Sequence, residues 1–181
     1  MESLTKIMNG HSDVMLGMLC GKQDAWQRIP LVHTTWGLFA SPWDCWLAKR
    51  GLGTLALRAG KAGENAYSVA NMLEGRPDVQ QVCYPALASH PDHEIAAAQF
   101  DGFGNMVTFT IPGGTTAAER LIAAAATNIP FCPSLGELMS TLSHPESSSH
   151  RLLSAEQRAE LGISGGTIRL SVGVETTNVL L

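Results

Sequence analysis

Charged residues are scarce, with Asp, Glu, Lys and Arg making up 15% of the 181 residues. So little charge implies that much of the surface is buried against something, either a partner subunit or further chain. Positive charge is not in excess. The formal net charge of −4 removes the electrostatic basis for binding nucleic acid or an anionic membrane. No Cys-x-x-Cys pair occurs. Cys20, Cys45, Cys83 and Cys132 are widely spaced, which excludes a zinc framework and a dense disulfide scaffold. Reduced, mostly buried thiols in a cytoplasmic protein are the expectation. Long apolar runs are missing too. Val14–Cys20 and Leu121–Ala126 are the longest, and both are far too short to cross a bilayer. No basic segment followed by an apolar core opens the chain, so no signal peptide is expected. Against these absences, hydrophobic residues reach 45%, normal for a globular chain with one ordinary core.

The most informative stretch lies at the start. Ser3 and Thr5 lead to Lys6, a polar turn Asn9-Gly10 follows, and the apolar run from Val14 comes next. The run, bounded by turn residues, predicts a buried strand. A lysine at the mouth of such a strand is costly to keep charged, which favours the neutral, nucleophilic amine. The main use of that amine is a Schiff base with a carbonyl, and pyridoxal phosphate is the commonest such carbonyl. The hydroxyls of Ser3 and Thr5 could then hold a phosphate. The same residues also fit a solvated surface lysine beside an ordinary turn, with His11 and Asp13 satisfying turn amides.

Further along, Gly21 to Gly37 reads as a connection with some helical turn. Ser41-Pro42-Trp43-Asp44 places serine at the N-cap, proline at N1 and an acid at N3, a strong helix start. That helix runs to Arg50 and breaks at Gly51-Leu52-Gly53. A second helix spans about Thr54 to Glu74, with Ala59, Ala62, Ala66, Val69, Ala70 and Leu73 at helical spacing, and Gly75-Arg76-Pro77 stops it. Val79 to Tyr84 is a short strand. His90, Asp92, His93 and Glu94 are read as a helix start with Pro91 at N1, and not as a metal site, because no further ligand lies at suitable spacing. Gly102-Phe103-Gly104 lacks the third glycine of a dinucleotide fingerprint. Met106 to Ile111 alternates as a half-buried strand. Thr115 or Thr116 caps a helix from Ala117 to Thr127. Ile129 to Gly136 is an extended, proline-stiffened loop. The serine run after Glu146 is a polar surface loop. Ser154 and Gln157 form a capping box, with Gly162 ending that helix. Thr167 to Val172 is a strand carrying one arginine, Arg169. Such an arginine is either an edge ion pair, for instance with Glu175, or a clamp for an anion. The strand and helix alternation predicts an open α/β layer.

Several of these segments resemble one family. Ser3, Thr5, Lys6, Gly10, His11, Ser12, Asp13 and Val14 match the lysine signature of the Cys/Met-metabolism pyridoxal-phosphate enzymes, the cystathionine γ-synthase, γ-lyase and β-lyase group. Ile7 stands where that family is usually aromatic. The similarity continues through Trp46-Leu47, Arg50-Gly51-Leu52, Thr54-Leu55, Arg58 and Asn65-Ala66, with Gly53 replacing the family's lysine. Ser134-Leu135-Gly136 resembles the Ser-Leu-Gly-Gly segment, although Pro133, Glu137 and Met139 depart from it and leave the reaction type open. Arg169-Leu-Ser171-Val172-Gly173-Val174-Glu175 strongly resembles the family's ending.

The resemblance implies an α/β fold, the C-terminal half of an aspartate-aminotransferase-like (type I) pyridoxal-phosphate fold. Residues 1–60 would be the end of the large cofactor domain with its linking helix, and 61–181 the small C-terminal domain. It implies pyridoxal 5'-phosphate as cofactor, Lys6 as the Schiff-base and proton-shuttling lysine, Ser3 and Thr5 as phosphate contacts, and Ser134 and Arg169 as substrate contacts. Arg169 would hold the substrate carboxylate. The implied reaction is β- or γ-elimination or replacement on sulfur-containing amino acids, in the cytoplasm, by a homo-oligomer when intact. In the family, the acid on the pyridine nitrogen, the aromatic on the ring and a phosphate-binding glycine turn all precede the lysine. The chain therefore reads as the C-terminal half of such an enzyme and is expected to be inactive as it stands. The other reading is a non-catalytic α/β remnant or interaction domain.

Overall fold

The computed structural model describes residues 1–180, with the side chain of Ala25 left aside. The chain divides into two compact units, Met1–Leu55 and Ala56–Leu181.

In the first unit, strand β1 (Glu2–Ser3) pairs antiparallel with β2 (Gly17–Met18), Ser3 opposite Gly17. Between them lies a π-helical turn, Leu4–Met8, in which Lys6 departs from helical backbone. Asn9 follows, and Gly10 takes the left-handed conformation with φ 75°, as the Asn-Gly signal predicts. The expected buried strand at Val14–Cys20 is corrected here. Val14 is buried, but Met15, Leu19 and Cys20 are exposed, and only Gly17–Met18 pair. An extended segment with a single two-residue partner strand has little to bury its apolar side chains against.

The connection Gly21–Gly37 is more helical than expected. A 3₁₀ turn, Gln23–Gln27, leads to α1 (Ile29–Trp36), which ends on Gly37 at φ 65°. Helix α2 (Pro42–Leu52) starts as the sequence predicts: Ser41 Oγ accepts from Asp44 N at 3.0 Å and Pro42 opens the first turn. It ends at Gly53. Apolar side chains stand exposed across this unit, among them Trp36 at 75%, Phe39 at 73% and Trp43 at 64%. Trp43 and Trp46 stack with ring centroids 5.0 Å apart.

The second unit is built on a four-stranded antiparallel sheet of β3 (Gln81–Cys83), β4 (Met106–Thr110), β5 (Thr141–Ser143) and β6 (Thr167–Ser171), in the order β3-β4-β6-β5. The period-2 pattern of β4 sends Val107 and Phe109 into the core, beside Ile168 and Leu170 of β6. Helix α3 (Leu55–Glu74) supplies Ala66, Val69, Ala70 and Leu73 to the same core. Burying each large aliphatic side chain there contributes about 1.5–3 kcal/mol. On α3, Ala59 is only half-buried, while Arg58 and Asn65 are buried. The thin Ala side chains let a neighbouring strand end approach, and Asn65 meets it by donating from Nδ2 to the carbonyls of Gly173 at 3.0 Å and Glu175 at 2.7 Å. Burial disfavours the charged guanidinium of Arg58 and lowers its pKa.

Two helix starts differ from expectation. Helix α4 (His93–Gln99) begins after Asp92, so Pro91 lies outside it. Helix α5 (Gly114–Ala125) begins on Gly113 at φ 93°, with no side-chain cap. Neither Thr115 nor Thr116, the two residues expected to cap it, does so, and the Thr115 hydroxyl instead donates to Glu146 Oε2 at 2.8 Å. Helix α6 (Ala155–Glu160) has the predicted capping box, with Ser154 Oγ accepting from Gln157 N and Gln157 Oε1 accepting from Ser154 N at 2.9 Å. Helix α7 (Thr177–Leu180) follows the last strand. The thiols are unpaired, but Cys20, Cys45 and Cys83 are exposed and only Cys132 is partly covered, which corrects the expectation of buried cysteines. Among the described residues no helix is long and apolar enough to cross a membrane.

Candidate functional site

Within the first unit, the lysine sits on the helical turn and not at a buried strand mouth, which corrects that part of the sequence reading. Lys6 is half-buried, and its carbonyl accepts from Gly10 N at 2.9 Å, closing the turn. The turn's inner side is held by Asn9, 1% exposed, whose Nδ2 donates to Asp13 Oδ1 at 2.6 Å. His11 Nδ1 lies 2.6 Å from Asn9 O. The polar residues after the lysine thus secure the backbone that carries it.

The two hydroxyls before the lysine are placed differently. Ser3 is exposed on β1. Thr5 is half-buried, and its Oγ1 accepts from Leu16 N at 3.0 Å and lies 3.4 Å from Leu16 O. Thr5 therefore closes the hairpin. The chemistry of these groups suits pyridoxal phosphate: Lys6 would supply an amine for its aldehyde and the exposed Ser3 a hydroxyl donor for its phosphate. Thr5 would have to share its hydroxyl with Leu16. Asn9 Oδ1 is buried without a hydrogen-bond partner, but an amide oxygen and a phosphate oxygen are both acceptors and do not answer one another.

Within the second unit, Arg169 lies on β6 and the loop carrying Ser134 is bonded to the same strand at Ser171. Arg169 sits mid-strand on β6. Cross-strand register places Cys83, Thr108, Arg169 and Ser143 in one row across the sheet, on the face opposite the apolar core. An open pocket of about 370 Å³ on that face is lined by Arg169 with Thr108, Thr110, Thr167, Cys83 and Ile163. Arg169 Nη2 donates to Ser149 Oγ at 3.1 Å, and Ser149 Oγ lies 2.8 Å from His150 Nδ1. The alternative of an Arg169–Glu175 pair is not what forms. Among the described residues Arg169 makes no ion pair, and the Glu175 carboxylate instead accepts from Ser140 N and from Ser140 Oγ, the latter at 3.1 Å.

Ser134 lies in the loop between α5 and β5, as the two prolines predict, and its carbonyl accepts from Thr141 Oγ1 at 3.4 Å. Gly136, at φ 78°, donates its amide to Ser171 Oγ at 2.9 Å. Val174 N donates to Leu138 O at 2.9 Å, and Gly173 N to Ser140 Oγ at 2.9 Å. A β-carbon on Gly173 would lie 2.7 Å from Met139 C, so only glycine allows this approach. Sequence reasoning did not single out Ser171, Asn105 or Asn65 as parts of this assembly. The period-2 rule offered one signal, since Ser171 shares the face of Arg169.

A family model described as Cys/Met metabolism PLP-dependent enzyme matches residues 1–181. The chain belongs to the Cys/Met-metabolism pyridoxal-phosphate-dependent enzyme family. It is 40% identical over 182 residues to a cystathionine γ-lyase of Dictyostelium discoideum, covering 100% of this chain and 47% of that protein. Among solved structures it is similar to cystathionine γ-synthase from Xanthomonas oryzae pv. oryzae in complex with aminoacrylate and cysteine, at 40% identity and TM-score 0.88, covering 98% of this chain and 46% of that one. A cystathionine γ-lyase from Micromonospora echinospora aligns at 38% identity and TM-score 0.92, covering 98% of this chain and 47% of that one. The chain thus spans about half the length of the relatives it matches. The mixed α/β architecture expected from the sequence is the architecture of half of these enzymes.

Proposed function

We propose that this chain is the C-terminal half of a transsulfuration-type enzyme, and that joined to a complementary N-terminal half it acts on sulfur-containing amino acids by β- or γ-elimination or replacement. The observation that carries this reading is the single family match running from the Lys6 turn to the Arg169 strand. In this reading residues 1–60 end a cofactor domain, residues 61–181 form the small domain, and the intact enzyme is a homo-oligomer in the cytoplasm.

Pyridoxal phosphate, when bound, supplies an electron sink for a carbanion at the substrate Cα. Lys6 would be the amine that holds the cofactor and the group that moves a proton at the substrate Cα. Ser3 would donate its hydroxyl hydrogen toward the phosphate, and Thr5 would do so only by releasing its own from Leu16 O. Arg169, planar and always charged, binds the substrate carboxylate with two parallel bonds, and the Ser134 loop borders that carboxylate. Relatives that are a lyase and a synthase are equally similar, so the leaving or entering sulfur group is not assigned.

The second reading is a non-catalytic α/β chain. Thr5 favours it, because its hydroxyl is already committed to Leu16. The experiment that separates the two mixes the full chain with the N-terminal half of the Dictyostelium relative, adds pyridoxal phosphate, and assays keto-acid release from cystathionine and, separately, formation of cystathionine with loss of the acyl acid from O-acylated homoserine and cysteine. Turnover above that of either half alone, abolished by Lys6→Ala, supports the enzyme. A stable, cofactor-loaded complex with no turnover on any sulfur amino acid supports the non-catalytic reading.

A further inference from the structure

We infer that Ser171 is a positioning residue, holding the Ser134 loop against the strand that carries Arg169 and thereby setting the width of the carboxylate site; the inference rests on the reading proposed above. Ser171 is 2% exposed at the end of β6, on the same face as Arg169. Its Oγ accepts from Gly136 N at 2.9 Å and lies 3.4 Å from Asn105 Nδ2. A hydroxyl has two acceptor positions, and these two N–H groups fill them. Asn105 is itself fixed, with Nδ2 donating to Val172 O at 2.8 Å and its carbonyl accepting from Val172 N at 2.9 Å. Ser171 is therefore held rigidly from the strand side and offers one anchor to the loop.

The loop needs that anchor. Residues 132–140 contain no regular secondary structure, so their path is set by single bonds: backbone bonds at Cys132 and Leu138 near the loop's ends, and the Ser171 hydroxyl at Gly136. Ser134 stands two residues before Gly136, and Arg169 two residues before Ser171. Both residues thus stand two positions from the bond that joins Gly136 to Ser171. The Ser134 carbonyl is itself tied to Thr141 Oγ1, and Thr141 is the strand partner of Ser171. The bonds of Val174 and Ser140 secure the far end of the loop, from Leu138 on, while the Ser171 bond at Gly136 holds it nearer Ser134.

Hydrogen exchange of the full chain tests the anchor. Ser171→Ala is expected to speed exchange at 134–140 while 106–110 and 167–170 keep their protection. Ser171→Thr, which keeps the hydroxyl, restores the parent pattern. Thr141→Val, which cuts the Ser134 carbonyl tie without touching β6, gives the same loop-confined change and serves if Ser171→Ala does not fold. In the complex with an N-terminal half, Ser171→Ala should raise KM for the amino acid about tenfold with kcat within about twofold, because misplacing a binding group weakens ground-state binding. The absorbance band of lysine-bound cofactor stays in place, and Ser171→Thr returns KM. Unchanged exchange at 134–140, or a global loss of protection that Ser171→Thr does not reverse, overturns the anchor. A loosened loop with unchanged KM overturns its link to the carboxylate site. A parent complex without any turnover counts against the proposed function, and the exchange pattern then decides the anchor alone.

Discussion

Gly51 of α2 packs directly on Asn9, three residues after Lys6, with no room for a side chain between them. A β-carbon at position 51 would lie 2.7 Å from Asn9 O and 2.9 Å from Asn9 Cα, and closer still to Asn9 Oδ1. Two of these three are backbone atoms, which cannot swing aside. The helix and the lysine turn are therefore fixed against each other through a glycine.

The first prediction concerns that contact. Gly51→Ala should destabilise the chain by about 1–3 kcal/mol, the usual cost of overpacking, and lower its melting temperature. It should also slow borohydride trapping of pyridoxal phosphate on Lys6. Gly60, on α3 with nothing within 4 Å of a built β-carbon, is the control. There alanine should stabilise by about 0.4–1 kcal/mol through reduced unfolded-chain entropy. Equal melting temperatures for the two variants would argue against the Asn9 contact.

Tyr84 supplies a pH prediction. The ring is 1% exposed, its hydroxyl donates to Gly104 O at 2.9 Å, and burial pushes its pKa up to about 12. The folded state thus keeps a proton that the unfolded chain releases near pH 10. Stability from this group is full below pH 10 and falls as pH rises from about 10 to 12. The loss is capped at roughly 3 kcal/mol, about 1.4 per unit. Tyr84→Phe should cost about 1 kcal/mol at neutral pH and flatten that alkaline decline in urea titrations. A decline equally steep in Tyr84→Phe would place its origin elsewhere.

Local chemistry was the legible part of this sequence. The N-cap of Ser41, the capping box of Ser154, the alternation of β4 and the stop at Gly162 are short-range signals, and each formed as expected. What failed depended on distant partners. Val14–Cys20 has the composition of a buried strand but only a two-residue neighbour. Thr115 is spent on Glu146, thirty-one residues away, and not on its own helix. Asn65 reads as an interruption in an apolar helix face until the strand end it bonds is known. The candidate site residues came from motif resemblance. Hydrogen-bond geometry adds which of them share a framework: Ser134 and Arg169 through Ser171, and Thr5 with the hairpin that carries Lys6.

A third prediction separates attachment from full binding of the cofactor. The chain alone should bind pyridoxal phosphate weakly, because an amine and hydroxyls satisfy the aldehyde and part of the phosphate but no ring contact. Titration by absorbance should give an affinity in the millimolar range, about 4 kcal/mol of binding, and Lys6→Ala should remove the amine-bound band. Ser3→Ala should weaken what remains more than Thr5→Ala, since Thr5 Oγ1 is engaged with Leu16. Stoichiometric micromolar binding by the chain alone would show that the ring contacts are not needed.

The last prediction concerns Arg169. Its guanidinium has no acidic partner among the described residues, and the one acid the sequence offered it, Glu175, is held by Ser140. A structural arginine would be expected to pair. Arg169 instead keeps its charge on the open face of the sheet with only a serine hydroxyl on Nη2. In the complex with an N-terminal half, Arg169→Lys keeps the charge but loses the planar fork. Losing one charge-assisted bond costs roughly 1.5–3 kcal/mol, a ten- to hundred-fold fall in kcat/KM. The band of lysine-bound cofactor should persist, because Arg169 belongs to the substrate's carboxylate and not to the cofactor. Stability should change by no more than about 1 kcal/mol, because the half-buried Arg169 has one neutral hydrogen bond, to Ser149, to lose. Substrates lacking the carboxylate should no longer distinguish the two proteins. A kcat/KM within about twofold of the parent, far short of the loss of one such bond, combined with a clear fall in melting temperature, would assign Arg169 to the sheet and remove it from the substrate site.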